Sequence, residues 1–248
     1  MNLNAMSYKQ MKYFQDLGDY VAAYKIARAD WDANPNLHWP KNAIAWLLIR
    51  MMKTNARAFA QQRFLLQLEE FRNLGLPEAD KKLWGAVAWP IRDIVKDSFE
   101  MQWFTPEFGD NLFDAMRAMP FHKPSESYSA MVKAFIKLAG LWPQLPNFIE
   151  WWGLDNFTDY DYRRYPENGV LESLVEKVMT AYLLSLQHSD EGRQPSPSFC
   201  QALNTLAFRS QEQADKIYKI MTFDFAKSEK SRIFAQKFDC TIHKMLQE

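Results

Sequence analysis

Val, Ile and Thr number 7, 11 and 7 among 248 residues. Sheets are built from β-branched and aromatic side chains that fill pleated faces, and so few β-branched residues cannot furnish a sheet of useful size. Leu, Ala, Met, Lys, Glu and Gln dominate instead, and these are good helix formers. The sequence therefore predicts an all-α protein. At 48% hydrophobic and 15% aromatic residues, the chain can bury a sizeable core, either as one elongated domain or as two small ones.

The stretch from Gly18 to Pro35, GDYVAAYKIARADWDANP, is rich in local signals. Gly18 can take positive φ and turn the chain sharply. Asp19 can then cap a new helix by accepting a bond from a free backbone N–H. Tyr20, Ala23, Tyr24, Ala27 and Trp31 follow on one helical face, and the two alanines allow a neighbouring helix to come close. Asn34-Pro35 ends the run, because the residue before proline is driven out of the α region.

In its spacing this stretch resembles a tetratricopeptide (TPR) repeat. Gly18, Tyr20, Ala23, Ala27 and Pro35 fall where that motif has glycine, tyrosine, alanine, a large apolar residue and proline. Met11 and Phe14 sit at its apolar positions in the preceding helix, whereas Ser7 and Gln10 stand where it has tryptophan and leucine. The resemblance covers residues 5–36, one unit of roughly 34 residues. It implies stacked antiparallel helical hairpins forming a TPR-like α-solenoid. The alternative is a plain helical hairpin turned by a glycine.

The rest of the chain extends this pattern. A first helix before Gly18 has Met6, Met11 and Phe14 among its apolar positions. After the lead-in NLHWP, a helix over 41–53 is apolar on most sides and is expected to be buried, with Lys41 and Arg50 at its wet edges. Thr54 or Asn55 is predicted to cap the next helix, where Phe64, Leu65, Leu68 and Phe71 form a stripe and Gly75 is the stop. Pro77 opens a helix that Pro90 must kink or divide. Further stripes carry Phe113 and Met116, then Tyr128, Met131, Phe135 and Leu138, ended by Gly140. Helix pairs of about 35 to 45 residues thus recur, as in a solenoid, where each pair completes its core by stacking on the next.

Residues 141–168 are dense in prolines, aromatics and charges, and are predicted as a short helix over 147–152 followed by an ordered loop. The predicted organisation is a repeat region at 1–188 that includes this irregular aromatic loop, a linker at Ser189–Pro197, and further helices at 198–248 packed on the same solenoid. The segment WWGLDNFTDYDYRRY, followed by SLVEKVMTAYLLSL, is similar to a helical module of bacterial biological-conflict proteins, of the kind that accompany helicase and primase components. That resemblance spans residues 150–187, contains no catalytic motif, and implies a setting in bacterial defence.

Composition narrows the function. Thirty basic and thirty acidic residues give a net charge of +0, so no general electrostatic grip on nucleic acid or anionic lipid is indicated. Cys200 and Cys240 form neither a metal-ligand spacing nor a disulfide framework. The N-terminus lacks the apolar core of a signal peptide, and no apolar run reaches spanning length. The expected location is cytoplasmic, away from membranes.

No reaction is legible either. His38, His122, His188 and His243 form no HExxH and no i, i+4 pair, and neither a glycine-rich phosphate loop nor a GxSxG elbow occurs. Asp155, Asp159, Asp161 and Glu167 fit no EF-hand and read as solvated loop charges. No catalytic residue, cofactor or metal is assigned.

The candidate contact residues are Trp151, Trp152, Tyr160, Tyr162, Arg163, Arg164 and Tyr165. Tryptophans can anchor an interface, and aromatics interleaved with arginine can stack bases and hold phosphates. The structural alternative is that these tyrosines pin a loop while the arginines pair with Asp159 and Asp161. The expected function is a non-enzymatic scaffold or adaptor that binds another protein or peptide on a helical-repeat surface. The alternative is an accessory factor that touches DNA or RNA through the Arg163–Arg164 loop, a partner the neutral charge does not favour.

Overall fold

The computed structural model describes residues 3–121, 126–152 and 181. Among them are eight α-helices and no strand. The chain divides into two compact units, one of Met1–His122 with Glu126–Met131, the other of Lys123–Ser125 with Val132–Glu248.

The first unit contains α1 (Leu3–Asp16), α2 (Tyr20–Ala33), α3 (His38–Arg57), α4 (Gln61–Asn73), α5 (Lys81–Glu100), α6 (Pro106–Arg117) and the start of α7 (Glu126–Phe135). The first turn forms as its residues dictate. Gly18 has φ +79°, and the Asp19 carboxylate accepts from the Ala22 N–H at 2.9 Å. Ala23 and Ala27 are fully buried, and α2 packs on both α1 and α3. The helix stops at Ala33, before Asn34-Pro35. Among the described side chains of α1 only Met11 is buried, while Met6 is 64% exposed. The two are five positions apart, which turns Met6 well away from the inward face.

Helix α3 differs from the sequence expectation at both ends. It begins at His38, with Pro40 in the first turn, where a missing N–H costs nothing. It also runs through Thr54 and Asn55 to Arg57. Neither residue caps a new helix, because both are satisfied inside the hairpin. Thr54 Oγ1 donates back to the Arg50 carbonyl at 3.2 Å, and Asn55 Nδ2 donates to Gln67 Oε1 of α4 at 2.8 Å. The break comes at Ala58–Ala60, where Phe59 takes φ +53°.

Helix α5 starts later than expected, at Lys81, capped by the Asp80 carboxylate on the Leu83 N–H at 3.1 Å. Pro90 does not divide it, and the helix is continuous to Glu100. An interior proline costs about 3 kcal/mol. Val87, Ile91, Ile94 and Val95 are all fully buried around it, and each is worth about 1.5–3 kcal/mol, so packing wins. Helix α6 opens on Pro106 behind a Thr105 cap.

The core of this unit centres on α3, which packs against α2, α4 and α5, while α4 also packs on α6. Ile44, Leu48 and Met52 of α3, Phe64, Leu68 and Phe71 of α4, Ile91 and Ile94 of α5, and Leu112 and Met116 of α6 are all fully buried. Two hairpin turns (α1 to α2 and α3 to α4) and the α5–α6 connection pass through a residue of positive φ, namely Gly18, Phe59 and Gln102.

In the second unit, the end of α7 leads through a 3-10 turn (Ile136–Leu138) to α8 (Leu145–Trp152). Phe135 stacks on Phe148, ring centroids 4.2 Å apart and 22° between planes. Trp142 lies against both rings, at 5.6 and 5.9 Å. Among the described residues no helix is long and apolar enough to cross a membrane.

Candidate functional site

Helices α1 and α3 share a cleft of about 280 Å³. Its walls are two faces with the same i, i+3, i+4, i+7 spacing: Tyr8, Met11, Lys12 and Gln15 from α1, and Trp39, Asn42, Ala43 and Trp46 from α3. The first members of the two faces meet, Tyr8 standing edge-on to Trp39 at 5.2 Å and 84°. Met11 is buried, Trp39 and Trp46 are half-buried, and Tyr8, Lys12 and Asn42 are exposed.

The electrostatics of this cleft are one-sided. Lys12 is the only charged residue of the lining, and no carboxylate is present there. A second ammonium, Lys82 of α5, lies 5.6 Å from the centre of the Trp46 ring. Neither lysine has an ion-pair partner among the described residues. The Trp39 indole N–H is buried and finds no acceptor among them, a deficit that ordinarily costs about 1–3 kcal/mol.

A second polar cluster, between α2 and α4, is different in kind. The Tyr24 hydroxyl donates to Glu70. Arg28 reaches the same carboxylate at 3.4 Å and Asp32 at 3.0 Å, and its guanidinium lies 4.8 Å from the Trp31 ring centre. Burial, and then the bond to Glu70, raise the Tyr24 phenol above its ordinary pKa. Here the charges and the hydroxyl satisfy one another, so the cluster acts as a brace between helices. The cleft, in contrast, keeps unspent donors. It contains no serine, cysteine, histidine or carboxylate, so its chemistry is that of binding: aromatic walls, two amides and a cation.

Of the contact residues expected from the sequence, Trp151 and Trp152 both belong to α8. Trp152 is 1% exposed, and Trp151 is half-buried, 5.9 Å from Phe148. Tyr160, Tyr162, Arg163, Arg164 and Tyr165 lie outside the described residues. The cleft residues escaped the sequence reading, although a signal was present. Each face is regular in the sequence, but nothing there says that one faces the other.

Compared with protein-family models, with curated proteins and with solved structures, the chain matches none of them. The fold and the cleft therefore define it only as a protein that is helical throughout the described residues, with an open aromatic cleft between two helices and one lysine in its lining.

Proposed function

We propose that the protein is a non-enzymatic interaction scaffold whose first unit is a TPR-like stack of helical hairpins that holds another protein on exposed helix faces. The observation that carries this reading is the α1–α3 cleft, open between alternate helices and lined by aromatic rings with unpaired polar groups. Aromatic side chains that become buried on binding dominate the energetics of protein interfaces. The alternate packing of α3 on α5 and of α4 on α6 supports a stack. The α3–α4 hairpin is longer than the roughly 34-residue tetratricopeptide unit, because α3 has 20 residues where α1 and α2 have 14 each. A role in bacterial defence belongs to the same proposal and rests on the likeness at residues 150–187.

Chemical cross-linking in host cells, read by mass spectrometry on the tagged chain, tests this. A specific protein partner should cross-link to lysines of the first unit, such as Lys9, Lys12 and Lys82. Cross-links confined to residues outside that unit, or none above the level of a tag-only control, would count against the scaffold reading.

A further inference from the structure

We propose that the α1–α3 cleft docks an acidic segment of a partner protein, with one apolar side chain between Tyr8, Trp39 and Trp46 and a neighbouring carboxylate on Lys12. This rests on the scaffold reading and specifies the chemistry of the partner.

Size comes first. At about 280 Å³ the space falls just under the roughly 300–1,000 Å³ of small-molecule sites. It suits a side chain better than a cofactor. The walls choose an apolar one, since Tyr8 keeps 41% of its surface exposed and the indoles of Trp39 and Trp46 stand half-exposed beside it.

Charge then selects the flanking residue. The lining offers Lys12 and no carboxylate, and Lys82 adds a second cation beside Trp46. Within the lining an incoming carboxylate meets no like charge, while an incoming ammonium faces Lys12 and finds the Trp46 ring already taken by Lys82. The Trp39 N–H has no acceptor to lose, so a small ring rotation can offer it to a partner oxygen without breaking a hydrogen bond. Gln15 and Asn42 supply amides that both donate and accept, as an extended backbone requires. Single-stranded nucleic acid is the less suitable guest. It binds along a continuous positive groove, and this cleft has one lysine, no arginine and a chain of net charge +0 around it.

Fluorescence anisotropy on the 248-residue chain tests the assignment with four labelled probes. These are a hexapeptide with glutamates around a central phenylalanine, the same peptide with glutamine, the same with lysine, and a short oligothymidine. The glutamate peptide should bind, and the glutamine peptide about tenfold more weakly. Lys12→Glu should weaken the glutamate peptide by about tenfold or more. Lys9→Glu, on α1 but outside the cleft, should change it by less than about twofold. Trp46→Ala should weaken the glutamate and glutamine peptides alike, with far-UV circular dichroism verifying the helix content of each variant. The proposal is overturned by equal binding of the glutamate and glutamine peptides, by glutamate-peptide binding that Lys12→Glu leaves intact, or by oligothymidine binding that Lys12→Glu abolishes. If no glutamate peptide binds while cells still deliver a cross-linked protein to the first unit, this site falls and the scaffold reading stands. If both experiments fail, both readings fall.

Discussion

Replacing Gly18 with alanine should destabilise the protein, and replacing Gln102 with glycine should stabilise it. Both residues sit in connections between helices at positive φ, +79° and +61°. A Cβ built on Gly18 would touch nothing within 4 Å, so the cost is local. The left-handed conformation costs a non-glycine residue about 1–2 kcal/mol. The restricted unfolded chain returns about 0.4–1 kcal/mol. The net loss for Gly18→Ala is therefore about 1 kcal/mol, and Gln102→Gly should gain about as much, because the Gln102 side chain is exposed.

Phe59 supplies an internal control. It has φ +53°, but its ring meets Trp103 at 4.9 Å and 60°, an edge contact worth about 0.5–1.5 kcal/mol. Phe59→Gly should thus gain less than Gln102→Gly, and the gap should narrow in a Trp103→Ala background. Urea unfolding followed at 222 nm reads all of these. With a slope of about 2 kcal/mol per molar, 1 kcal/mol moves the midpoint by about 0.5 M. A midpoint unmoved or raised by Gly18→Ala, or lowered by Gln102→Gly, would refute the argument.

Three other perturbations follow from the same structure. Asp80→Ala removes the cap on Leu83 and should cost about 1 kcal/mol, with Asp80→Asn restoring most of it, both read by the urea midpoint. Phe71→Ala empties a fully buried site that sits edge-on to Trp84 at 5.5 Å, and the same midpoint should report a loss of about 3–5 kcal/mol. Tyr24→Phe removes the bond to Glu70 and should destabilise at neutral pH. Because folding raises the Tyr24 pKa from 10.0, its contribution is complete below about pH 10 and fades as the pH rises beyond it. The stability difference between wild type and Tyr24→Phe should therefore shrink above pH 10, and a constant difference would contradict the assignment.

Legibility from sequence depended on how local the cause was. Gly18, Asp19 and Asn34-Pro35 declared a turn, a cap and a stop because each acts within a few residues. Thr54 and Asn55 misled because the same side chains that cap a helix can also bond inside one, and here Arg50 and Gln67 claim them. The true break at Phe59 is held by Trp103, a partner far along the chain. Pro90 read as a kink or a divider because its cost is intrinsic, whereas the burial that keeps the helix continuous comes from other helices. The cleft was harder still. Lys12 and Trp46 each sit on a plain amphipathic face, and only packing makes those faces opposite walls.

The central place of α3 has a kinetic consequence. With α2, α4 and α5 all leaning on it, this helix is the keystone of the first unit. Outer helices can peel back singly, so their amide protons should trade with deuterium through partial openings. Those of α3 must wait for three neighbours to let go, and should be the last to exchange.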